Sequence, residues 1–175
     1  MKEKTHGKFL SRHIKDIIYG ANDGIITTFA IVAGVAGAAL SVRIILILGF
    51  ANLIADGISM AASNYLGGRS EAEMMRYELK LTPEKNNVIV SGALTTFFAF
   101  VFAGAIPLLP FILLTDGGTL FISSIATAFA LFAVGAARSL ITAANWFVSG
   151  LEMLVIGGIA ASAAYFIGFA VSFVV

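Results

Sequence analysis

The sequence predicts an all-α integral membrane protein of five transmembrane helices, with the amino terminus in the cytoplasm and the carboxyl terminus outside. Three observations carry this prediction. Of the 175 residues, 59% are hydrophobic and only 12% are charged, a balance that soluble domains do not show. The apolar residues gather into five stretches of about 20, the length a helix needs to cross the hydrocarbon of a bilayer. Ten of the eleven Lys and Arg residues lie in the amino-terminal tail and in the links after the second and fourth stretches, with only Arg43 on the opposite side. That distribution places the tail in the cytoplasm. Little chain is left for a separate soluble unit, so residues 1–175 read as one membrane domain.

Taken in order, the tail of residues 1–16 carries Lys2, Lys4, Lys8, Arg12 and Lys15 with His6 and His13. It imitates the basic start of a signal peptide, but the apolar run behind it is too long and further spans follow. Residues 17–40 are therefore expected as a retained first span. Within it Gly20 and Gly24 stand four apart, as do Ala33 and Gly37, and small residues at that spacing let helices approach closely. Residues 41–43 are expected as a tight external turn and 44–66 as the second span. Residues 67–87 form a charged cytoplasmic link. There the helix is expected to restart after Gly67 and Gly68, carrying Glu71, Met74, Met75 and Glu78 on one side. Thr82, Pro83 and Glu84 have the form of a helix start.

The third span, 88–109, is expected to end at Pro107 and Pro110, where a missing amide is tolerated. Asp116, Gly117 and Gly118 mark a turn before the fourth span, 119–142. The fifth, 151–174, follows Trp146, an expected interface anchor, and Ser149 and Glu152, which have capping-box spacing. Five spans cannot divide into two equal inverted halves, so a symmetric pathway calls for a second copy. Absence of cysteine excludes thiolate metal sites, iron–sulfur clusters and disulfides. No nucleic-acid partner is expected.

Two carboxylates stand inside the apolar runs, and an ionisable group at membrane depth is expensive enough to need a reason. On the second span Asn52, Asp56, Met60 and Asn64 recur every fourth residue and share one helix face. Tyr19, Asp23 and Thr27 do the same on the first. With the two spans antiparallel about a turn near Ser41, the expected ladder pairs Asn64 with Tyr19, Met60 with Asp23, and Asp56 with Thr27. Such a ladder is a candidate ion path. Carboxylate and amide oxygens beside thioether sulfur suit ferrous iron, manganese or cobalt better than magnesium or calcium. Because burial disfavours a bare carboxylate charge, proton and metal compete for the same oxygens. Protonation then releases the cation, and deprotonation readmits it.

These residues carry a resemblance. Tyr19-Gly20-Ala21-Asn22-Asp23-Gly24, Ala55-Asp56-Gly57-Ile58-Ser59-Met60-Ala61 and Asn64-Tyr65-Leu66-Gly67 are similar to motifs of the vacuolar iron transporter family. Arg138-Ser139-Leu140, Asn145-Trp146 and Gly150-Leu151-Glu152 resemble the start of its fifth helix. The resemblance implies a homodimer of five-helix subunits in a lipid bilayer. It further implies export of ferrous iron or manganese from the cytosol against inward proton movement, with no permanent cofactor and no enzymatic activity. It assigns Asp23 and Met60 to the translocation path, and Asp56, Asn64, Glu71 and Glu78 join them as candidate metal ligands. Longer members carry a cytoplasmic metal-binding domain between the second and third helices, rich in glutamate and methionine. Only about twenty residues stand there in this chain, so it resembles the shorter branch, and Glu71 and Glu78 match the root of that domain. In the absence of an organellar address, a prokaryotic plasma membrane is expected rather than a vacuolar one.

Competing readings stand beside these. Asp23 and Asp56 also suit a purely structural role, neutral and hydrogen-bonded to Thr, Asn or Ser so as to pin helices. Met60 also suits a core filler, and Asn52 and Asn64 suit helix–helix hydrogen bonds. Glu71, Glu73, Glu78 and Glu84 are interleaved with Arg and Lys, as on a solvated face. For the whole chain the alternatives are a non-transporting metal sensor or scaffold, and an intramembrane aspartyl protease whose two carboxyls share a proton.

Overall fold

The computed structural model describes residues 3–78, 86–114, 118–140, 142 and 144–174, with side chains from residue 13 onward. Among them every regular element is helical: α1 Glu3–Gly37, α2 Val42–Tyr77, α3 Asn86–Gly104, a 3-10 turn Ile106–Leu108, α4 Leu109–Leu113, α5 Thr119–Arg138 and α6 Trp146–Val171. Five stretches are long and apolar enough to cross a membrane: His13–Gly37, Val42–Tyr77, Asn86–Leu113, Thr119–Arg138 and Trp146–Val171. The expected all-α fold with five spans is therefore present. Lys80, Thr82, Pro83, Glu84, Lys85, Asp116 and Gly117 lie outside the described residues, as does the side chain of His6.

Boundaries differ from expectation for identifiable reasons. The first turn centres on Ala39 and Leu40, not on 41–43. Ala39 takes a left-handed φ of 54°, its amide donates to Ala36 O, and the Leu40 amide donates to Val35 O at 3.1 Å. This is a Schellman stop built without glycine. Nor does α2 break at Gly67 and Gly68. A side chain at Gly68 would press on Ile89, 3.0 Å from its Cβ position, so packing of α3 against the bare backbone offsets the roughly 1 kcal/mol that a helical glycine costs. Pro107 and Pro110 lack the amides that would continue α3, and the chain tightens into the 3-10 turn before resuming as α4. The buried Ser123 hydroxyl fixes that turn by donating to Pro107 O at 2.7 Å. The third span thus runs on to Leu113 instead of ending at 109.

α5 ends at Arg138, four residues short of the expected 142. α6 begins five residues early, because Asn145 caps it, accepting from the Phe147 amide at 2.9 Å. The expected capping box is absent: Ser149 is buried inside the helix, and Glu152 accepts instead from Arg138 Nη1 at 3.2 Å. Trp146 is exposed and stacks edgewise on Phe132 and Phe147.

The core gathers around α1. Val32, Val35, Ile45, Leu53, Phe100, Leu108 and Phe111 form one buried cluster, and Ile25, Ala130 and Leu131 a second. Gly20 and Gly24 face α3 so closely that a methyl at Gly20 would stand 2.5 Å from Thr96 O, and one at Gly24 would collide with the Phe100 carbonyl. Further along α1, Gly34 and Gly37 meet Ala164, Tyr165 and Gly168 of α6 in the same way. These contacts climb together in sequence number, so α1, α3 and α6 run parallel. α1 thus packs on α3 more extensively than on α2, which places a third wall beside the two-helix ladder.

Candidate functional site

Where α1 enters the bundle, α1, α2 and α3 leave an open cavity of about 770 Å3 whose walls include His13, Asp16, Tyr19, Met60, Asn64, Glu71 and Thr96. The sequence builds it from helix periodicity. On α1, Asp16, Tyr19 and Asp23 lie at i, i+3 and i+7, one stripe. On α2, Asn52, Asp56, Met60 and Asn64 are all half-buried, alongside the fully buried Ile45, Gly49, Leu53 and Gly57. The polar stripe thus runs along the edge of the packed face, where it meets both core and open space.

A side-chain network closes the upper wall. Asn64 Nδ2 donates to Asp16 Oδ1 at 2.9 Å and to Thr96 Oγ1 at 2.8 Å. His13, with only 3% of its surface exposed, sets Nδ1 3.0 Å from Asp16 Oδ2 and Nε2 3.0 Å from Ser91 Oγ. Gly92 leaves the necessary room, since a Cβ there would stand 3.0 Å from Asp16 Oδ2 and 3.6 Å from Asn64 Oδ1. Asn64 is thus a bond between three helices, and Asp16 is a buttressed carboxylate.

The ladder is present in a different register. Asn64 meets Asp16, one helical turn before Tyr19, because the chain reverses at Ala39 and Leu40 and not at Ser41. The same shift brings Asp56 level with Asp23, close enough for their charges to interact. Thr27 does not serve Asp56; its Oγ1 donates to the Asp23 backbone carbonyl at 2.8 Å. Among the described residues no side chain donates to either carboxylate, so the pinning reading, which requires Thr, Asn or Ser donors, has no bonds to support it. Met60 packs on the Phe100 cluster and also lines the cavity, between Asn64 above and Asp56 below.

Glu71 reaches the cavity rim, whereas Glu78 is exposed at the end of α2, roughly 10 Å farther along the helix. Glu73 pairs with Arg69 at 3.1 Å on a solvated face. Asn52 Nδ2 is buried without a hydrogen-bond partner. Among the described residues no three His, Asp or Glu side chains converge as a complete metal site within one chain. Sequence reasoning missed Asp16 and His13, which stand among the basic residues of the tail. The signal was the i, i+7 spacing of Asp16 and Asp23.

Chemically, the arrangement is a polar vestibule offering carboxylate, amide and thioether groups, above a pair of carboxylates to which no described side chain donates. Two like charges in a medium of low dielectric attract a cation between them strongly. Oxygen beside sulfur selects a borderline divalent metal.

Comparison with known proteins gives an independent view. A family model described as the VIT family matches residues 14–88 and 71–169. The vacuolar iron transporter of Centaurea cyanus is 28% identical over 220 aligned positions, covering 94% of this chain and 90% of its own. Vacuolar iron transporter 1 of Arabidopsis thaliana is 28% identical over 208 positions, with coverage of 87% and 83%. That of Toxoplasma gondii is 40% identical over 76 residues, 43% of this chain and 25% of its own. The alignment with the Centaurea cyanus protein is longer than the 175 residues of this chain, so that relative holds segments that this chain lacks.

Proposed function

The chain belongs to the VIT family, and from that premise we propose that it carries a divalent transition-metal ion, ferrous iron or manganese, out of the cytosol in exchange for protons. The family is one of transporters, which removes the protease reading. The observation that carries the proposal is the pair Asp23 and Asp56, whose charges interact and to which no side chain among the described residues donates, below a cavity lined by Met60 and Asn64. A purely structural pair of acids has no use for such an opening. In this reading the rim carboxylate Glu71 gathers cations, Met60 and Asn64 pass them inward, and Asp23 and Asp56 bind metal and proton in alternation. Loading on the cytosolic side displaces protons, and protonation from the far side releases the metal.

Five spans cannot form two equal inverted halves within one chain, which supports a homodimer in which a second copy completes the path. The basic residues near the cavity support its opening to the cytosol, and the membrane proposed is a prokaryotic plasma membrane.

The test is metal uptake into proteoliposomes holding a pH gradient, comparing the natural chain with Asp23→Asn and Met60→Ala. Proton-dependent flux of ferrous iron or manganese that both changes abolish is the expected result. A folded protein that binds either metal saturably without moving it points instead to a sensor.

A further inference from the structure

A second, smaller cavity lies behind α1, facing α5 and α6, and the candidate metal path does not use it. Its volume is about 260 Å3, with Ile18 and Met153 as an apolar floor and Lys15, Tyr19, Asn22, Arg138 and Thr142 as its polar members. Helix geometry explains the set: Lys15, Ile18 and Asn22 stand at i, i+3 and i+7 on one stripe of α1. The two cations sit at the same end of the bundle, Lys15 near the start of the first membrane stretch and Arg138 at the last turn of α5.

Three features call for a ligand. Among the described residues no carboxylate pairs with Lys15, while Arg138 shares only one exposed ion pair, with Glu152 at 3.2 Å. Among the described residues the buried Asn22 Oδ1 has no hydrogen-bond partner, so it is an acceptor that needs a donor. The third feature is the apolar floor of Ile18 and Met153. A ligand that fits carries a negative charge for Lys15 and Arg138, a hydroxyl for Asn22 and hydrocarbon for the floor.

We propose that this cavity binds the headgroup of an anionic phospholipid bearing a free hydroxyl, of the phosphatidylglycerol class. The phosphodiester lies between Lys15 and Arg138, a headgroup hydroxyl donates to Asn22 Oδ1, and an acyl chain runs along Ile18 and Met153. Basic pockets between membrane helices recognise lipid headgroups by this combination of charge and burial. Because Lys15 and Tyr19 also line the metal cavity, such a lipid would neutralise positive charge beside the cation path.

Native mass spectrometry of the intact protein, released from detergent with defined lipids, tests the assignment. Phosphatidylglycerol is expected to remain bound in preference to phosphatidylcholine. Lys15→Gln and Arg138→Gln are each expected to weaken retention about fivefold. Lys15→Arg retains it, and Arg43→Gln, at the far end of the bundle, leaves it unchanged. Phosphatidylmethanol, equally charged but without a hydroxyl, is expected to bind more weakly, and Asn22→Ala removes that difference. Equal retention of phosphatidylcholine, unaltered binding in both charge variants, or displacement of the lipid by millimolar inorganic phosphate would overturn the proposal, the last by identifying a simple phosphate site.

Discussion

Asp16 and Asp23 stand two turns apart on the same stripe of α1, yet their surroundings are opposite. Asp16 accepts from Asn64, lies against His13 and is given room by Gly92, so each of its oxygens has a neighbour. Asp23 has no side-chain donor among the described residues and faces the like charge of Asp56. A carboxylate with its bonds satisfied holds helices in place, whereas one left with a like charge for company has its bonding capacity free for a passing ion. The difference separates the frame of the path from its working pair, and mutations can break it.

The largest contrast is expected between Asp23→Asn and Asp16→Ala. Asp23→Asn, like Asp56→Asn, removes like-charge repulsion, so metal flux falls to background while thermal stability holds or rises. Asp16→Ala takes one acceptor from the Asn64 amide, which keeps Thr96, and one neighbour from the His13 ring, which keeps Ser91. It should cost roughly 1–3 kcal/mol of stability, measurable as a lower unfolding temperature, and reduce flux only in part. Gly92→Ala sharpens the point without touching a charge, because its methyl presses on Asp16 Oδ2. A loss of about 1–2 kcal/mol with metal selectivity unchanged is the expected outcome. The smallest effect concerns register alone: Ala39→Gly relieves the left-handed backbone at φ 54°. It should stabilise by roughly 0.5 kcal/mol, strain relief outweighing the entropy of a new glycine, with flux unaltered.

Much of this was legible in the sequence. Five apolar runs announced the five spans, and the fourfold spacing of Asn52, Asp56, Met60 and Asn64 announced the polar stripe that the structure holds half-buried along α2. What sequence reasoning lost followed from local chemistry with an ambiguous signature. A left-handed stop at Ala39 carries no glycine to mark it, so sequence reading centres the turn too late and misses that Asn64 meets Asp16, one turn before Tyr19. Gly67 and Gly68 read as a break, but Ile89 packs on the bare backbone of Gly68 and the helix continues. Asp16, just after Arg12 and Lys15, closes the stretch 1–16 that reads as a basic tail. Only tertiary contact with α3 reveals that it is tied to Asn64 and His13. The role of α3 was invisible because pairing two helices by sequence gives no account of a third that packs on both.

The most direct test of the proposed exchange is simultaneous recording of metal and proton movement across one proteoliposome membrane, with equal metal and an imposed pH difference. The account predicts that acidifying the compartment that receives metal speeds flux, since protons there displace the ion from Asp23 and Asp56. Acidifying the loading side slows it by competition, and each metal ion moves with opposing protons that vanish in Asp23→Asn. Metal flux indifferent to pH on either side, or undiminished in Asp23→Asn, would contradict it.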